Sequence, residues 1–368
     1  MTIAKRTDTE LLRNHRVSQE MLRWYDRSAR ALPWRVSPTD QKRGTRPHAY
    51  HIWLSEIMLQ QTTVATVTPY FQKFIKLWPT VEALAAADRE NVLAAWAGLG
   101  YYARARNLHK CAQLIVTDYQ GVFPQTETEL RDLPGIGAYT AAAIATIAFD
   151  QPATVIDGNI ERVIARLMHI DTPLPSAKPE IRRNAEALTP TDRAGDYAQA
   201  MMDLGATICT PRTPNCGVCP IANNCLAMRY GVQASLPVKT PKKSQPIRYG
   251  VAFIAVDRRR FVYLHRRPDD GLLGGMLGLP GSDWTEKPPA WRDAVPFDAA
   301  WRRFALEARH SFTHFHLRLD LIGATLEKRP KSLRGEWVSA SAIGEREIPT
   351  LYIKALQIGL PSILNQGC

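Results

Sequence analysis

The sequence predicts two domains of different class: a mainly α N-terminal domain over residues 11–230 and an α+β C-terminal domain over 249–366, joined by a linker at 231–248. Three observations carry this. From Leu11 to about Met228 apolar residues recur at spacings of three and four, as in Val81, Leu84, Ala85 and Val92, Leu93, Trp96, with no convincing strand between them. The stretch GVQASLPVKTPKKSQPIR, Gly231 to Arg248, is rich in Pro and Lys and has little periodicity. Beyond it YGVAFIAV and FVYLHRR run at strand length around DRRR, HFHLRLDLIGA does the same later, and LYIKALQIGL has the pattern of a closing helix.

Composition narrows the function classes. A chain of 368 residues with 45% hydrophobic content can bury two sizeable cores, which excludes a disordered protein. Lys and Arg exceed Asp and Glu by 12, an excess that attracts a polyanion, nucleic acid first among the candidates, though a solvated basic surface gives the same count. The start MTIAKRTDTELLRNHR has no apolar h-region and no later run of about 20 apolar residues occurs, so the expectation is a cytoplasmic chain without a membrane span.

Taken in chain order, the polar and basic stretch VSPTDQKRGTRPHAYH, Val36 to His51, is expected to be a surface loop. Next comes HIWLSEIMLQQTTV, where Trp53, Leu54, Ile57, Met58 and Leu59 surround Glu56. An apolar setting there raises a carboxyl pKa, and moving it from about 4.3 to near 7 takes about 3.5 kcal/mol, within what burial supplies; a solvent-facing Glu on an amphipathic helix is the plainer alternative. In LPGIGAYTAAAI the glycines flanking Ile136 turn the chain sharply into an Ala-rich helix, aiming backbone N–H groups of Gly135, Ile136 and Gly137 at an anion, unless the turn is only a tight connection. Asp157 in VIDGNIERVIARL stands at the N-cap of an amphipathic helix running through Ile160, Val163, Ile164 and Leu167. Such a residue commonly does no more than cap, yet the cap keeps a carboxylate charged. One carboxyl held neutral and another held charged suit cleavage of a glycosidic bond through an oxocarbenium-like state.

The cysteine loop follows, Cys209-x6-Cys216-x2-Cys219-x5-Cys225, bent by Pro211, Pro214, Gly217 and Pro220. Four thiolates on one tight loop suit a single tetrahedral zinc or a cubane iron–sulfur cluster, and spacing alone does not separate the two. Cys111 on a helical face and the terminal Cys368 are expected to be ordinary.

With these stretches on the page, the chain resembles the MutY-type adenine DNA glycosylases of the helix-hairpin-helix, iron–sulfur superfamily. The resemblance lies in LPWR, WLSEIMLQQTTVATVTPYF, GLGYYARARNLHK, LPGIGAYTA, VIDGNIERV, QAMMDLGATIC, the Cys loop, GLLGGMLGLP and FTHFHL, in family order along most of the chain. It implies a helix-hairpin-helix at about 126–149, a 4Fe-4S cluster on Cys209, Cys216, Cys219 and Cys225, and a MutT/Nudix-like C-terminal domain that reads 8-oxoguanine. It also implies, as partner and substrate, duplex DNA with adenine opposite 8-oxoguanine or guanine, bound by a monomer associated with the nucleoid. By the same resemblance Glu56 protonates the extruded adenine and Asp157 stabilises charge on the sugar, with Asn159 and Tyr139 lining the site. Trp34, Leu59 and Val64 wall the base pocket, Gln60 and Tyr101 enter the base stack, Arg35 and Gln61 belong to this same pocket-and-stack set, and Gly135, Ile136 and Gly137 make a phosphate contact. Phe312, Thr313 and His314 form the 8-oxoguanine loop, with Thr313 where Ser is usual, and the basic loop 36–51 is longer than usual.

Tyr139 separates reaction types. The related endonuclease III group has a lysine there that attacks the sugar as an amine; a phenol forms no imine, so base release without strand cleavage is expected. A bifunctional lyase is therefore disfavoured, as is a non-catalytic damage binder, since both carboxylates are present. A nucleotide pyrophosphatase is disfavoured because the acidic REx2EExG run that would hold Mg2+ is missing.

Overall fold

A computed structural model describes residues 8–241, 244–268, 271–330, 333–345 and 348–364. The expected domain end at 366 and Cys368 lie outside the described residues. The chain divides into two compact units, one of Met1–Ala87 and Asn107–Pro241, the other of Asp88–Arg106 and Lys242–Cys368.

The first unit is helical, and no β-strand occurs among its described residues. At its centre is the helix Ala138–Phe149, AYTAAAIATIAF, buried from Thr140 to Ile147. Its small side chains let the helices Ala49–Leu59, Glu127–Arg131 and Ala194–Thr207 pack against it. Two glycines set the last of these approaches. A Cβ at Gly195 would lie 2.6 Å from the Thr146 carbonyl oxygen, and one at Gly205 would lie 2.5 Å from Asn159 Cβ, so the helix Ala194–Thr207 meets both the central helix and the segment after Asp157 only with glycine there. Fully buried Trp53, Leu54 and Met58 anchor the helix Ala49–Leu59, each contributing roughly 1.5–3 kcal/mol.

Two expectations need correction here. The segment 36–51 is not all loop: Ser37 caps a short helix, Pro38–Lys42, by accepting from Asp40 N–H, and the next helix already begins at Ala49. A Ser-Pro pair is itself a helix-start signal, overridden in the sequence reading by the surrounding charge. The linker is also shorter than its composition suggests. Leu236 is buried, Leu174 N–H donates to the Val238 carbonyl at 2.8 Å, and Thr240 Oγ1 donates to the Leu174 carbonyl at 2.7 Å. At the other end, Ile247 and Arg248 belong to the first strand.

The second unit holds a sheet of β1 (Ile247–Asp257), β2 (Phe261–Arg266), β3 (Leu277–Gly278), β4 (Arg302–Ser311), β5 (His316–Leu326) and β6 (Glu336–Ser339). The order is β3-β2-β1-β5-β4 with β6 on β2; β1 and β5 are parallel and the other pairs antiparallel. The helix Thr350–Leu364 covers one face, its Leu351, Tyr352 and Leu356 meeting Ile254, Leu319 and Leu321. Residues 279–301 contain one short helical turn, Trp291–Ala294, and no α-helix bearing paired carboxylates, in line with the missing acidic run.

Candidate active site

Five segments of the first unit enclose a cavity of about 660 Å³: the LPWR turn, the helix Ala49–Leu59 with the residues after it, the helix Ala138–Phe149, the start of the helix Gly158–Leu167 and the helix Ala194–Thr207. The cavity brings together Glu56, Tyr139, Asp157, Asn159, Trp34, Arg35, Leu59, Gln60, Gln61 and Val64, residues spread over more than a hundred positions of sequence.

Glu56 is 6% exposed, on a helix buried on every side from Ile52 to Met58. Burial pushes its carboxyl from 4.5 up to about 7, against a lowering hydrogen bond from Tyr139 and the Arg35 charge, with Asp157 raising it further. The Tyr139 phenol is held well above its usual range by burial and by the two carboxylates, so it is a hydrogen-bond donor at neutral pH. Asp157 caps the helix Gly158–Leu167. One oxygen accepts from Asn159 N–H at 2.9 Å and Ile160 N–H at 2.7 Å, and the other accepts from Asn159 Nδ2 at 2.7 Å.

Asp157 is tied further back. Arg162, one turn along the helix, donates to Asn159 Oδ1 at 2.9 Å, the Gly205 carbonyl at 2.7 Å and the Cys209 carbonyl at 2.8 Å. Arg166, another turn on, is 1% exposed and donates to Cys209 Sγ at 3.2 Å and to the carbonyls of Thr210, Pro211 and Leu236. One helix therefore carries the carboxylate at its N-terminus and grips the Cys loop along its side.

Sequence reasoning missed Asp203 and Gln199. Asp203 is fully buried; its oxygens take Arg35 Nη1 at 2.9 and 2.8 Å, Arg30 Nε at 2.6 Å and Arg30 N–H at 3.1 Å, which fixes the Arg35 guanidinium at the cavity wall. Gln199 also lines the cavity. The available signal was their spacing: two polar residues four apart in the otherwise apolar helix QAMMDLG share one face.

At the helix-hairpin-helix turn Gly135 has φ +79°, and a Cβ there would meet Asn107 Cβ at 2.8 Å. The Ile136 N–H is occupied by the Leu133 carbonyl at 3.2 Å, whereas among the described residues no backbone partner takes the N–H of Gly135 or Gly137. Tyr101 is not in the cavity. It lies in the second unit, 52% exposed with φ +49°, and its hydroxyl stands 3.4 Å from Thr313 Oγ1. Phe312, Thr313 and His314 form the connection from β4 to β5, outside either strand. Phe312 is anchored against Trp284 and Phe315, with ring centroids 5.3 and 4.9 Å away, and Thr313 and His314 face solvent.

The four cysteines surround one pocket with Arg166. Burial pushes the Cys219 thiol up to about 12 and raises those of Cys216 and Cys225, so uncomplexed they are neutral at pH 7. A buried guanidinium whose acceptors are carbonyls and a sulfur calls for negative charge, which metal-bound thiolates provide. Four cysteines on one pocket are the donor set that a 4Fe-4S cluster takes. Buried Cys111, its thiol pushed up to about 12, stands apart from this group.

Among the described residues no helix is long and apolar enough to cross a membrane. Residues 54–190 match the HhH-GPD superfamily base excision DNA repair proteins, 209–225 the iron–sulfur binding domain of endonuclease III, and 251–357 the NUDIX domain. The chain is 34% identical to the adenine DNA glycosylase of Homo sapiens over 83% of its own length and 66% of the relative's. It is 33% identical to that of Buchnera aphidicola subsp. Acyrthosiphon pisum, covering 83% of itself and 85% of the relative. A thermostable thymine-DNA glycosylase structure is 28% identical, with a TM-score of 0.53 over 61% of this chain and 100% of that one.

Proposed function

From the premise that this chain belongs to the adenine DNA glycosylases, a 4Fe-4S family acting on N-glycosyl bonds, we propose that its substrate is adenine mispaired with 8-oxoguanine, or with guanine, in duplex DNA. Release of the base leaves an abasic site.

The observation that carries this reading is the pair of unlike carboxyls in one cavity. Glu56, titrating near 7, gives its proton to the extruded adenine and makes it a better leaving group. Asp157, its oxygens oriented by three N–H donors, faces the positive charge that grows on the sugar. Asn159 holds Asp157; Tyr139 donates to Glu56 and offers no amine for a lyase step. Arg35, Trp34, Leu59 and Val64 wall the base, and Arg35 is steadied by Asp203.

Gln60, Gln61 and Tyr101 enter the stack where the base leaves it, offsetting the lost stacking. The free N–H groups at Gly135 and Gly137, with Ile136 buried beneath, take a backbone phosphate. Phe312 anchors the loop that presents Thr313 and His314 to the 8-oxoguanine edge. The reading is of a monomer acting in the cytoplasm, held at the nucleoid by its DNA substrate. Cys209, Cys216, Cys219 and Cys225 hold the cluster, whose thiolate charge offsets buried Arg166.

The test is purified protein on duplexes carrying A opposite 8-oxoguanine, A opposite G and A opposite T, with and without alkali. Adenine release on the first two, with strand cleavage only after alkali, is expected; release from A opposite T at the same rate would defeat the proposed specificity.

A further inference from the structure

The helix Thr350–Leu364 covers one face of the second unit's sheet; on the other, Trp291, Ala294 and Trp301 cover Val251, Phe253 and Ile322, and the end nearest the Phe312–His314 loop is open. Register places residues of this second face in rows across β1, β5 and β4: Ile247, His316 and Ser311 nearest the Phe312–His314 loop, then Tyr249, Arg318 and Arg309, then buried Val251 with Asp320 and Glu307. Arg309 thus sits directly across from Arg318. Like charges in such a cross-strand pair destabilise a sheet. Glu307 relieves this only in part, since one carboxylate takes both side chains through their Nε atoms, at 2.5 and 2.6 Å.

Round the edge strand from this row opens a cavity of about 510 Å³, bordered by His316 on the row's side and by His310 and Lys354 on the side of the helix Thr350–Leu364. Arg309, Arg318 and Lys354 against Glu307 leave a surplus of positive charge. Arg318 also lies 5.8 Å from the Tyr249 ring centre, a basic group on an aromatic plate. The rows end at the loop that carries Thr313.

We propose that Arg309, Arg318 and Lys354 bind backbone phosphates of the DNA strand whose base the Phe312–His314 loop reads, which rests on the lesion-reading proposal above. The basic groups come from β4, β5 and the helix Thr350–Leu364 in turn, as suits a continuous backbone more than a free nucleotide. Phosphate contacts fix register and orientation without reading sequence, which is what a short reading loop needs from its stem.

The experiment uses the full-length holoprotein and a duplex with a reduced, uncleavable abasic site opposite 8-oxoguanine or guanine. Affinity is followed across a salt titration for wild type, for Arg309→Gln with Arg318→Gln, and for Arg258→Gln with Lys328→Gln at the far end of the same strands. The stem variant should bind about tenfold or more weakly on both duplexes, and its slope of log K against log salt should be shallower by about 0.9 for each phosphate lost. The far-end variant should keep the wild-type slope. An unchanged slope in a stem variant that melts like wild type, an equal change in the far-end variant, or a loss confined to the 8-oxoguanine duplex would each overturn the proposal. Absence of any 8-oxoguanine preference in the wild type defeats the lesion-reading proposal instead, and is seen separately from the slopes.

Discussion

Glu56 shows how much one side chain's surroundings decide. Because it must be protonated to act and burial holds it near 7, single-turnover excision should fall about tenfold per pH unit above that point. The same burial costs stability. The folded pKa lies above the unfolded value of 4.5, so the stabilising proton is fully bound in both states below 4.5 and its contribution is lost as pH rises to 7. Wild type therefore loses about 3 kcal/mol across that window. Glu56→Gln should nearly abolish base release yet melt higher than wild type at pH 8, the difference shrinking towards pH 4.5. Equal melting temperatures at pH 8 would show that the carboxyl is not desolvated in solution. This setting was legible in sequence because the helix is apolar all round: with Ile52, Trp53, Leu54, Ile57 and Met58 all buried, it has no solvent face left for Glu56. The Arg35–Asp203 pair was not, since its partners lie 168 positions apart and only the packed fold brings them together.

At the scale of elements, the helix Gly158–Leu167 is the link between chemistry and the Cys loop. Its N-cap and apolar stripe could be read from sequence; that Arg162 and Arg166 turn towards Cys209 could not, because an arginine at that spacing also suits a solvated face. Arg162→Gln should remove the hold on Asn159 Oδ1 and the Gly205 carbonyl. With about 1.5–3 kcal/mol for bonds from a charged donor, single-turnover excision should drop roughly tenfold to a hundredfold while duplex affinity changes little. Unchanged excision would make Arg162 a fastener of the loop and nothing more. The hairpin from β4 to β5 was half legible: HFHLRLDLIGA alternates clearly, whereas RRFALEARHS is an edge strand whose many charges hide the period. Its connection projects Thr313, so Thr313→Ala with His314→Ala should cut the preference for 8-oxoguanine over guanine about tenfold or more, and Thr313→Ser should be nearly neutral. Equal losses on both partners would mean that the loop only supports the fold.

For the whole molecule, the division of the chain is where sequence order and spatial order part. A boundary drawn from the Pro- and Lys-rich stretch leaves Asp88–Arg106 with the helical domain, whereas the compact units group it with the C-terminal residues. The contacts are specific: Tyr101 with Thr313, Arg266 with Glu90 at 4.0 Å, and Arg106 with the Gly274 carbonyl. Periodicity could mark the helix Arg89–Trp96 but carries no information about which core it joins. Tyr101 and Thr313, two of the groups proposed to meet DNA around the lesion, thus belong to one unit, although 212 positions separate them. A chain ended at Pro241 should keep the catalytic cavity, whose lining lies wholly in the first unit, and should still release adenine opposite guanine. It should lose most of its preference for 8-oxoguanine, and amide hydrogen exchange should quicken across 88–106 while staying slow in the buried helix Ala138–Phe149. Exchange unchanged in 88–106 would mean that this segment is held by the helical domain alone, and retained preference would take lesion reading away from the second unit.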